Sequence, residues 1–257
     1  MADTTLLLDS DIIAYQHAAT AQKGIDWDED GDKTLVVDDL EVVLHYVDDT
    51  IANLKEKLKA DSYIVCLSCD SADNWRKGVL PSYKENRTGV AKPLLLSAIK
   101  EAMRSRYECY ERPTLEADDI MGILSTHPRL IKGKKIIVSE DKDMKTIPGW
   151  LFNPRKDTKP RMVSEEEADR FHMYQTLIGD TTDGYKGCPG IGPAKAEKIL
   201  DGNGHPEEQL HRWKYVVAAF TAKGLTEEDA LVQARVARIC RAEDYDFKNK
   251  EVILWTP

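Results

Sequence analysis

No apolar run in this chain of 257 residues is long enough to cross a bilayer. The opening Met1-Ala2-Asp3-Thr4-Thr5 lacks the basic start of a secretory signal, and the chain is read as cytosolic. Cysteine is scarce: five residues, an odd count at irregular spacing. Cys66 and Cys69 form a lone C-x-x-C with no second pair or histidines at ligand spacing, which argues against structural zinc and for small buried thiols. The six histidines show no ligand spacing, and neither a Walker loop nor a nucleophile elbow is present. Excess positive charge is also missing. A net charge of −9 argues against a non-specific polyanion binder.

What is present begins with a hydrophobic content of 42%, enough for a real core in one large domain or a domain with an appended lobe. The charge is unevenly spread. Between Ser71 and Arg106 the balance is net +5, a basic stripe inside an acidic protein that can still hold phosphate. Short apolar runs at Leu6–Leu8, Ser62–Ser68, Tyr107–Tyr110 and Lys135–Ser139 read as strands. Helical spacing is expected over Ile12–Ala19, Asp38–Lys59, Pro93–Arg106, Leu115–Thr126 and Ser164–Ile178, the last with Ser164 and Glu167 as a capping box. Trp150–Phe152 and Arg161–Val163 read as a pair of edge strands. From Gly187 onward helices are expected near Pro193–Asp201, Glu207–Ala222 and Thr226–Ala242. Alternating strands and helices imply an α/β fold with a mostly parallel sheet, whose sites form beyond the carboxyl ends of the strands.

Acidic clusters stand at those ends. Asp9 follows Leu6-Leu7-Leu8, Asp70 follows Cys66-Leu67-Ser68-Cys69, and Asp141-Lys142-Asp143 follows Ile136-Ile137-Val138. Glu116-Ala117-Asp118-Asp119 and Asp180-Thr181-Thr182-Asp183 complete the set. Asp141 and Asp143 in an extended segment would point the same way, while Asp180 with Asp183, and Glu116 with Asp119, would each share a helix face. Asp118 turns inward if Glu116 sits at an unwound helix entry. Magnesium and manganese prefer such hard oxygen ligands, and two ions about 4 Å apart suit phosphodiester hydrolysis. Any one pair is equally well a cap, a turn or a solvated face; their convergence makes the case for a metal-dependent nuclease. Asp26-Trp27-Asp28-Glu29-Asp30-Gly31 opens like a calcium loop, but Val37 stands where a bidentate Glu belongs, so a solvated turn is the better reading.

Two segments suit nucleic acid. Gly187-Cys188-Pro189-Gly190-Ile191-Gly192-Pro193-Ala194-Lys195-Ala196 looks like a helix–hairpin–helix. Gly190 and Gly192 let the backbone approach phosphate closely, and Lys195 and Lys198 add charge. A plain Gly/Pro turn between packed helices is the alternative. Hairpin carbonyls of this kind can also bind a monovalent cation such as K+. In Pro81-Ser82-Tyr83-Lys84-Glu85-Asn86-Arg87, Lys84 and Arg87 would clamp the scissile phosphate if the segment is helical, and Tyr83 would stack on a terminal base. A solvated basic loop is the alternative there.

The ordered set resembles the flap endonuclease / 5′-3′ exonuclease family, which includes the 5′ nuclease domains of bacterial DNA polymerase I. It is carried by Leu-Leu-Leu-Asp-Ser around Asp9, Asp70 with Tyr83-Lys84-Glu85-Asn86-Arg87, Glu116-Ala117-Asp118-Asp119, Ser139-Glu140-Asp141-Lys142-Asp143-Met144, and Gly179-Asp180-Thr181-Thr182-Asp183-Gly184 leading into the glycine hairpin. The resemblance spans roughly residues 4 to 201, and the compact size looks most like a stand-alone bacteriophage-type exonuclease. It implies a PIN-like nuclease core over residues 1–180 and a helix–hairpin–helix and C-terminal helical region over 181–257. It implies two divalent ions, Mg2+ or Mn2+. Asp9, Asp70, Glu116 and Asp118 would surround one; Asp141, Asp143, Asp180 and Asp183 would surround the other; Asp119 would serve either through water. It places Lys84 and Arg87 at the scissile phosphate and makes Asp70 and Asp118 catalytic. The implied substrates are duplex DNA with a 5′ end, flapped DNA and RNA–DNA hybrids, with no membrane partner. The stretch from Trp75 to Arg106 is short for a long helical arch, with Gly89 and Pro93 interrupting its start. A structure-specific flap endonuclease, an RNA-processing relative and a non-catalytic DNA-binding relative are the competing readings. Nine clustered acids would repel each other and DNA in the last of these.

Overall fold

Leu6, Leu7 and Leu8 carry no exposed surface, because β1 (Thr4–Asp9) lies at the centre of the sheet with both faces covered. Their side chains alternate. Leu6 and Leu8 enter one hydrophobic core and Leu7 the other, as the two-residue period of a strand requires. The structure is a computed structural model that describes residues 3–25, 34–69, 72–201 and 212–257. The calcium-like loop Asp26–Gly31 and Asp70 lie outside the described residues.

Two parallel strands flank β1: β4 (Ser62–Cys66), with Asp9 opposite Cys66, and β6 (Lys134–Val138), with Leu8 opposite Val138. β5 (Cys109–Tyr110) adds to β4, β7 (Gly149–Phe152) to β6, and β8 (Arg161–Val163) closes the far edge antiparallel, giving the order β5-β4-β1-β6-β7-β8. Trp150–Phe152 is therefore not an edge strand: β7 pairs on both sides. The chain runs outward from β1 in both directions, so the crevice at the carboxyl ends of β1 and β6 is a topological switch point.

Helices α1 (Ser10–Thr20), α2 (Leu40–Leu58) and α4 (Leu96–Arg106) cover the Leu6/Leu8 face through Ile13, Val43, Val47, Ile99 and Met103. α5 (Ala117–Thr126) covers the Leu7 face through Ile120, Met121 and Leu124. α4 begins three residues beyond Pro93, since the Pro-Leu-Leu step is spent on a turn. β2 (Gln22–Ile25) and β3 (Thr34–Val37) form a separate antiparallel pair. Among the described residues no long arch is formed: α3 (Arg76–Val79) is short, and a 3-10 turn at Glu85–Arg87 is followed by non-helical chain up to α4.

α6 (Glu165–Ile178) carries the expected capping box and joins two cores. Its Ala168 packs in the Leu7 core, whereas Met173 and Leu177 pack with α7 (Pro193–Asp201), α8 (Arg212–Thr221) and α9 (Glu227–Ala237) through Cys188, Leu200, Val216, Phe220 and Ala230. The helix expected to reach Ala242 ends at Ala237, and only a 3-10 turn at Ala242–Asp244 follows. The chain turns back so that Ile239, Cys240 and Tyr245 enter the Leu7 core, and it ends in a small hairpin of β9 (Tyr245–Asp246) and β10 (Glu251–Val252). The Leu7 core thus draws on residues from both sides of position 180.

Candidate active site

Asp9 ends β1 and caps α1: its Oδ1 accepts from the Ile12 amide at 3.3 Å and its Oδ2 from Ser139 Oγ at 2.6 Å. Burial raises its pKa to about 7, and the charges of Asp11 and Asp141 add to that against the Ser139 hydrogen bond. Asp118 lies in the first turn of α5. Burial and the charges of Asp9, Asp141 and Glu116 push its carboxyl well above the usual range. Glu116 is the N-cap of α5, which is the unwound entry that lets Asp118 turn inward. Burial works against the charged Glu116, but Lys84 and Arg76 overcome it and bring its pKa down to about 2.

The second acidic group lies beside the first. Asp141 caps a 3-10 turn at Lys142–Thr146 and accepts from the Asp143 amide at 2.8 Å, so the segment is a turn where an extended pair was expected. Burial and the neighbouring Asp141 raise Asp143 to about 6. Asp180 and Asp183 share no helix face. Asp180 pairs with Tyr185 across a tight turn, and Asp180 Oδ1 accepts from the Thr182 amide at 2.7 Å. That turn depends on glycine. Gly179 and Gly187 have φ of +70° and +63°, and a Cβ on either would come within 2.5 Å of the other's backbone segment. The crossing returns Asp183 towards Lys84 and Asp180 towards Lys142.

The protein's own cations hold these acids. Lys84 Nζ lies 2.5 Å from Glu116 Oε1 and 3.6 Å from Asp183 Oδ2, and Arg87 lies 2.5 Å from Asp183 Oδ1. Lys142 lies 2.5 Å from Asp180 Oδ2 and 3.1 Å from Asp143 Oδ1. Among the described residues, no three Asp, Glu, His or Cys side chains stand close enough to form a ready-made metal cage. The donor set nonetheless suits a hard divalent cation. Several carboxylates share one crevice, and burial leaves two of them, Asp9 and Asp118, hard to ionise without added positive charge.

Two expectations change. Tyr83 is 2% exposed and donates its hydroxyl to Glu116 Oε2 at 2.9 Å and Asp183 Oδ2 at 3.1 Å, so it braces the two acidic groups and has no free face for stacking on a base. Asp119 has no exposed surface, and both its oxygens are taken: by Arg76 at 2.8 Å twice, by Trp75 Nε1 at 3.0 Å and by the Cys240 amide at 3.1 Å. It is a buried anchor where an acid serving either ion through water was expected. Ser139, Lys142, Gln175 and Arg76 also touch the acidic groups, and none of them was among the residues expected at the site. Gln175, buried on α6, donates to Asp143 Oδ1 at 2.5 Å; a glutamine on the inward stripe of an amphipathic helix was its only signal.

The glycine hairpin joins α6 to α7. Gly190 has φ +74°, Gly192 has no neighbouring atom within 4 Å of a would-be Cβ, and both are exposed, as are Lys195 and Lys198. Lys195 Nζ donates to the Gly190 carbonyl at 3.0 Å.

Residues 4–159 match the family model described as the 5′-3′ exonuclease N-terminal resolvase-like domain. The chain belongs to the 5′-3′ exonuclease family. It is 31% identical over 282 residues to the exonuclease of Escherichia phage T7, covering 98% of this chain and 93% of that protein. It is 31% identical to the exodeoxyribonuclease of Enterobacteria phage T3, with 98% and 92% covered. A flap endonuclease Xni of Shewanella piezotolerans is 30% identical over 154 residues, 56% of this chain and 60% of that protein. The fold is shared with the D15 protein of phage T5 co-crystallized with metal ions, at a TM-score of 0.61 and 16% identity over 91% of this chain and 88% of that one. This member of the 5′-3′ exonuclease family is thus a metal-dependent phosphodiester hydrolase, a 5′ nuclease acting on DNA. No helix among its described residues is long and apolar enough to cross a membrane.

Proposed function

We propose that the chain is a two-metal 5′-3′ exonuclease that hydrolyses duplex DNA from the 5′ end in the cytoplasm, and also removes RNA from RNA–DNA hybrids. The observation that carries this is Lys84, one ammonium spanning the two acidic groups at the mouth of the switch-point crevice. Asp9, Asp70, Glu116 and Asp118 would hold one divalent ion, and Asp141, Asp143, Asp180 and Asp183 the other. A magnesium or manganese ion held by these carboxylates would supply water activation and charge neutralisation at the phosphate. Lys84 stays protonated in this setting: burial opposes its charge, but Glu116 and Asp183 raise its pKa. It exchanges Glu116 for the scissile phosphate as DNA arrives, and Arg87, half exposed beside it, takes the next phosphate oxygen. Asp119 acts on the ions only by fixing its neighbours.

The duplex would rest on Gly190 and Gly192, with Lys195 and Lys198 on the backbone downstream. A potassium ion on the hairpin carbonyls belongs to the same reading, and Lys195 would leave the Gly190 carbonyl to admit it. Residues 181–257 form the duplex-holding region, although their last turn returns to the core of the nuclease part. The non-helical chain from Thr88 to Leu95 favours end-on attack over threading of a long flap.

Cleavage of a 5′-labelled and a 3′-labelled duplex, each with magnesium or chelator, tests the proposal. Short products from the 5′ label, a shrinking ladder from the 3′ label and silence in chelator are expected. Cleavage confined to flapped DNA would replace exonuclease by flap endonuclease. No cleavage of duplex, flap or hybrid would leave a DNA-binding relative.

A further inference from the structure

A guanidinium carries five N–H groups, and all five of Arg76 are used. The residue is 2% exposed. Its Nη1 donates to Glu116 Oε2 at 3.0 Å and Asp119 Oδ2 at 2.8 Å. Its Nη2 donates to Asp119 Oδ1 at 2.8 Å and the Arg238 carbonyl at 2.7 Å, and its Nε to the Val236 carbonyl at 3.0 Å. The Trp75 ring lies 4.5 Å from the guanidinium carbon. Asp119 closes the circuit by accepting from the Cys240 amide at 3.1 Å and the Glu116 amide at 3.2 Å. One buried ion pair therefore ties three segments distant in sequence: α3, the acidic entry of α5, and the chain leaving α9.

We infer that Arg76 is a positioning residue that fixes the Glu116 carboxylate against the backbone of residues 236–240, making this C-terminal segment part of the frame of the metal site. The inference rests on the nuclease reading above. A carboxylate at a helix N-cap has free rotamers. Tyr83 holds Glu116 by one hydroxyl and Lys84 by an ammonium that the scissile phosphate would draw away, whereas Arg76 adds a charged donor that cannot itself move, because its other four N–H groups are committed to Asp119 and to two carbonyls. Lysine in its place has three donors on a flexible stem and cannot meet four acceptor groups in this fork. The segment from 236 to 240 would loosen Glu116 if it shifted, and metal bound at Glu116 would in turn tighten that segment by linkage.

Two measurements on the full chain test this. In the wild-type protein without DNA, Mn2+ should slow hydrogen exchange in the peptide covering Val236–Cys240. In Arg76→Lys, Mn2+ binding by calorimetry should weaken about 10- to 100-fold, as for other outer partners of metal ligands. Its single-turnover rate should fall by a similar factor and recover in part at high Mn2+, with duplex affinity unchanged to within about threefold. Wild-type Mn2+ affinity in a folded Arg76→Lys, or Mn2+ binding that leaves exchange at 236–240 untouched, would overturn the inference while sparing the nuclease reading. The exchange experiment decides the matter if the variant does not fold. Absence of Mn2+ binding by the wild-type chain would overturn both.

Discussion

Lys84 meets Glu116 at 2.5 Å and lies 3.6 Å from Asp183, so a single side chain links an acid at the entry of α5 to one on the turn after α6. These acids lie far apart in sequence and belong to different expected metal groups. The ammonium therefore lies between the two acidic groups, where the proposed function puts the scissile phosphate.

Lys84→Ala should lower the single-turnover rate by about 100-fold or more while duplex affinity changes by less than about threefold. The proportion is the test, measured by rapid-quench cleavage and by anisotropy in calcium. Equal losses in rate and affinity would make Lys84 a binding residue only.

Asp118 and Asp119 are adjacent, yet their substitutions should separate cleanly. Asp118→Asn removes a carboxylate crowded by like charges. It should abolish cleavage, leave the chelated protein at least as stable as wild type, and lose the rise in Tm that divalent metal gives the wild type. Asp119→Ala strips the partner from a buried guanidinium and should cost about 3–5 kcal/mol in denaturant unfolding. A stable Asp119→Ala protein would disprove its role as anchor.

His172 supplies a pH test away from the acids. It is 1% exposed, its Nε2 donates to the Ala234 carbonyl at 2.7 Å, and burial, helped by Arg238 and Arg241, lowers its pKa to about 3. The unfolded chain takes up a proton near pH 6.5 that the folded chain refuses until about pH 3. Stability from this group is therefore complete above pH 6.5 and is lost as pH falls towards 3, at up to about 1.4 kcal/mol per pH unit. His172→Gln keeps a donor for Ala234 and should flatten that part of the stability–pH curve. Parallel curves for the two proteins would show that His172 titrates normally.

The hairpin glycines should differ from one another. Gly192 has open space around it, so Gly192→Val should weaken duplex binding with Tm nearly unchanged. Gly190, at φ +74°, should lose both binding and about 1–2 kcal/mol of stability on change to Val, because a β-branched residue resists the left-handed region. Unaltered duplex affinity in both would remove the hairpin from the DNA path.

Much of this protein is local enough to be legible from the residues. The Leu6–Leu8 strand, the Ser164–Glu167 capping box, the start of α7 at Pro193 and the placement of Asp9 and Asp141 after strands follow from periodicity, capping and turn chemistry, which act over a few positions. So does Glu116 as the unwound entry that turns Asp118 inward. Other features needed the tertiary structure. Asp180 and Asp183 show the spacing of a helix face, but the backbone crossing of Gly179 and Gly187 folds them into a turn. Tyr83 shows the sequence of an exposed basic loop, but Glu116 and Asp183 draw its hydroxyl inward. Asp118 and Asp119 are the same residue type at neighbouring positions. Only the 100° step of the helix, meeting Arg76 on one side and the crevice on the other, makes one a candidate ligand and the other an anchor. The sequence by itself determined which acids exist and at which strand and helix ends they stand, because those choices are made by short-range sterics and hydrogen bonding. Which cation each acid meets was decided by long-range packing, because Arg76, Lys84 and Lys142 reach their partners across 32 or more residues in most cases, distances over which no local pattern carries information.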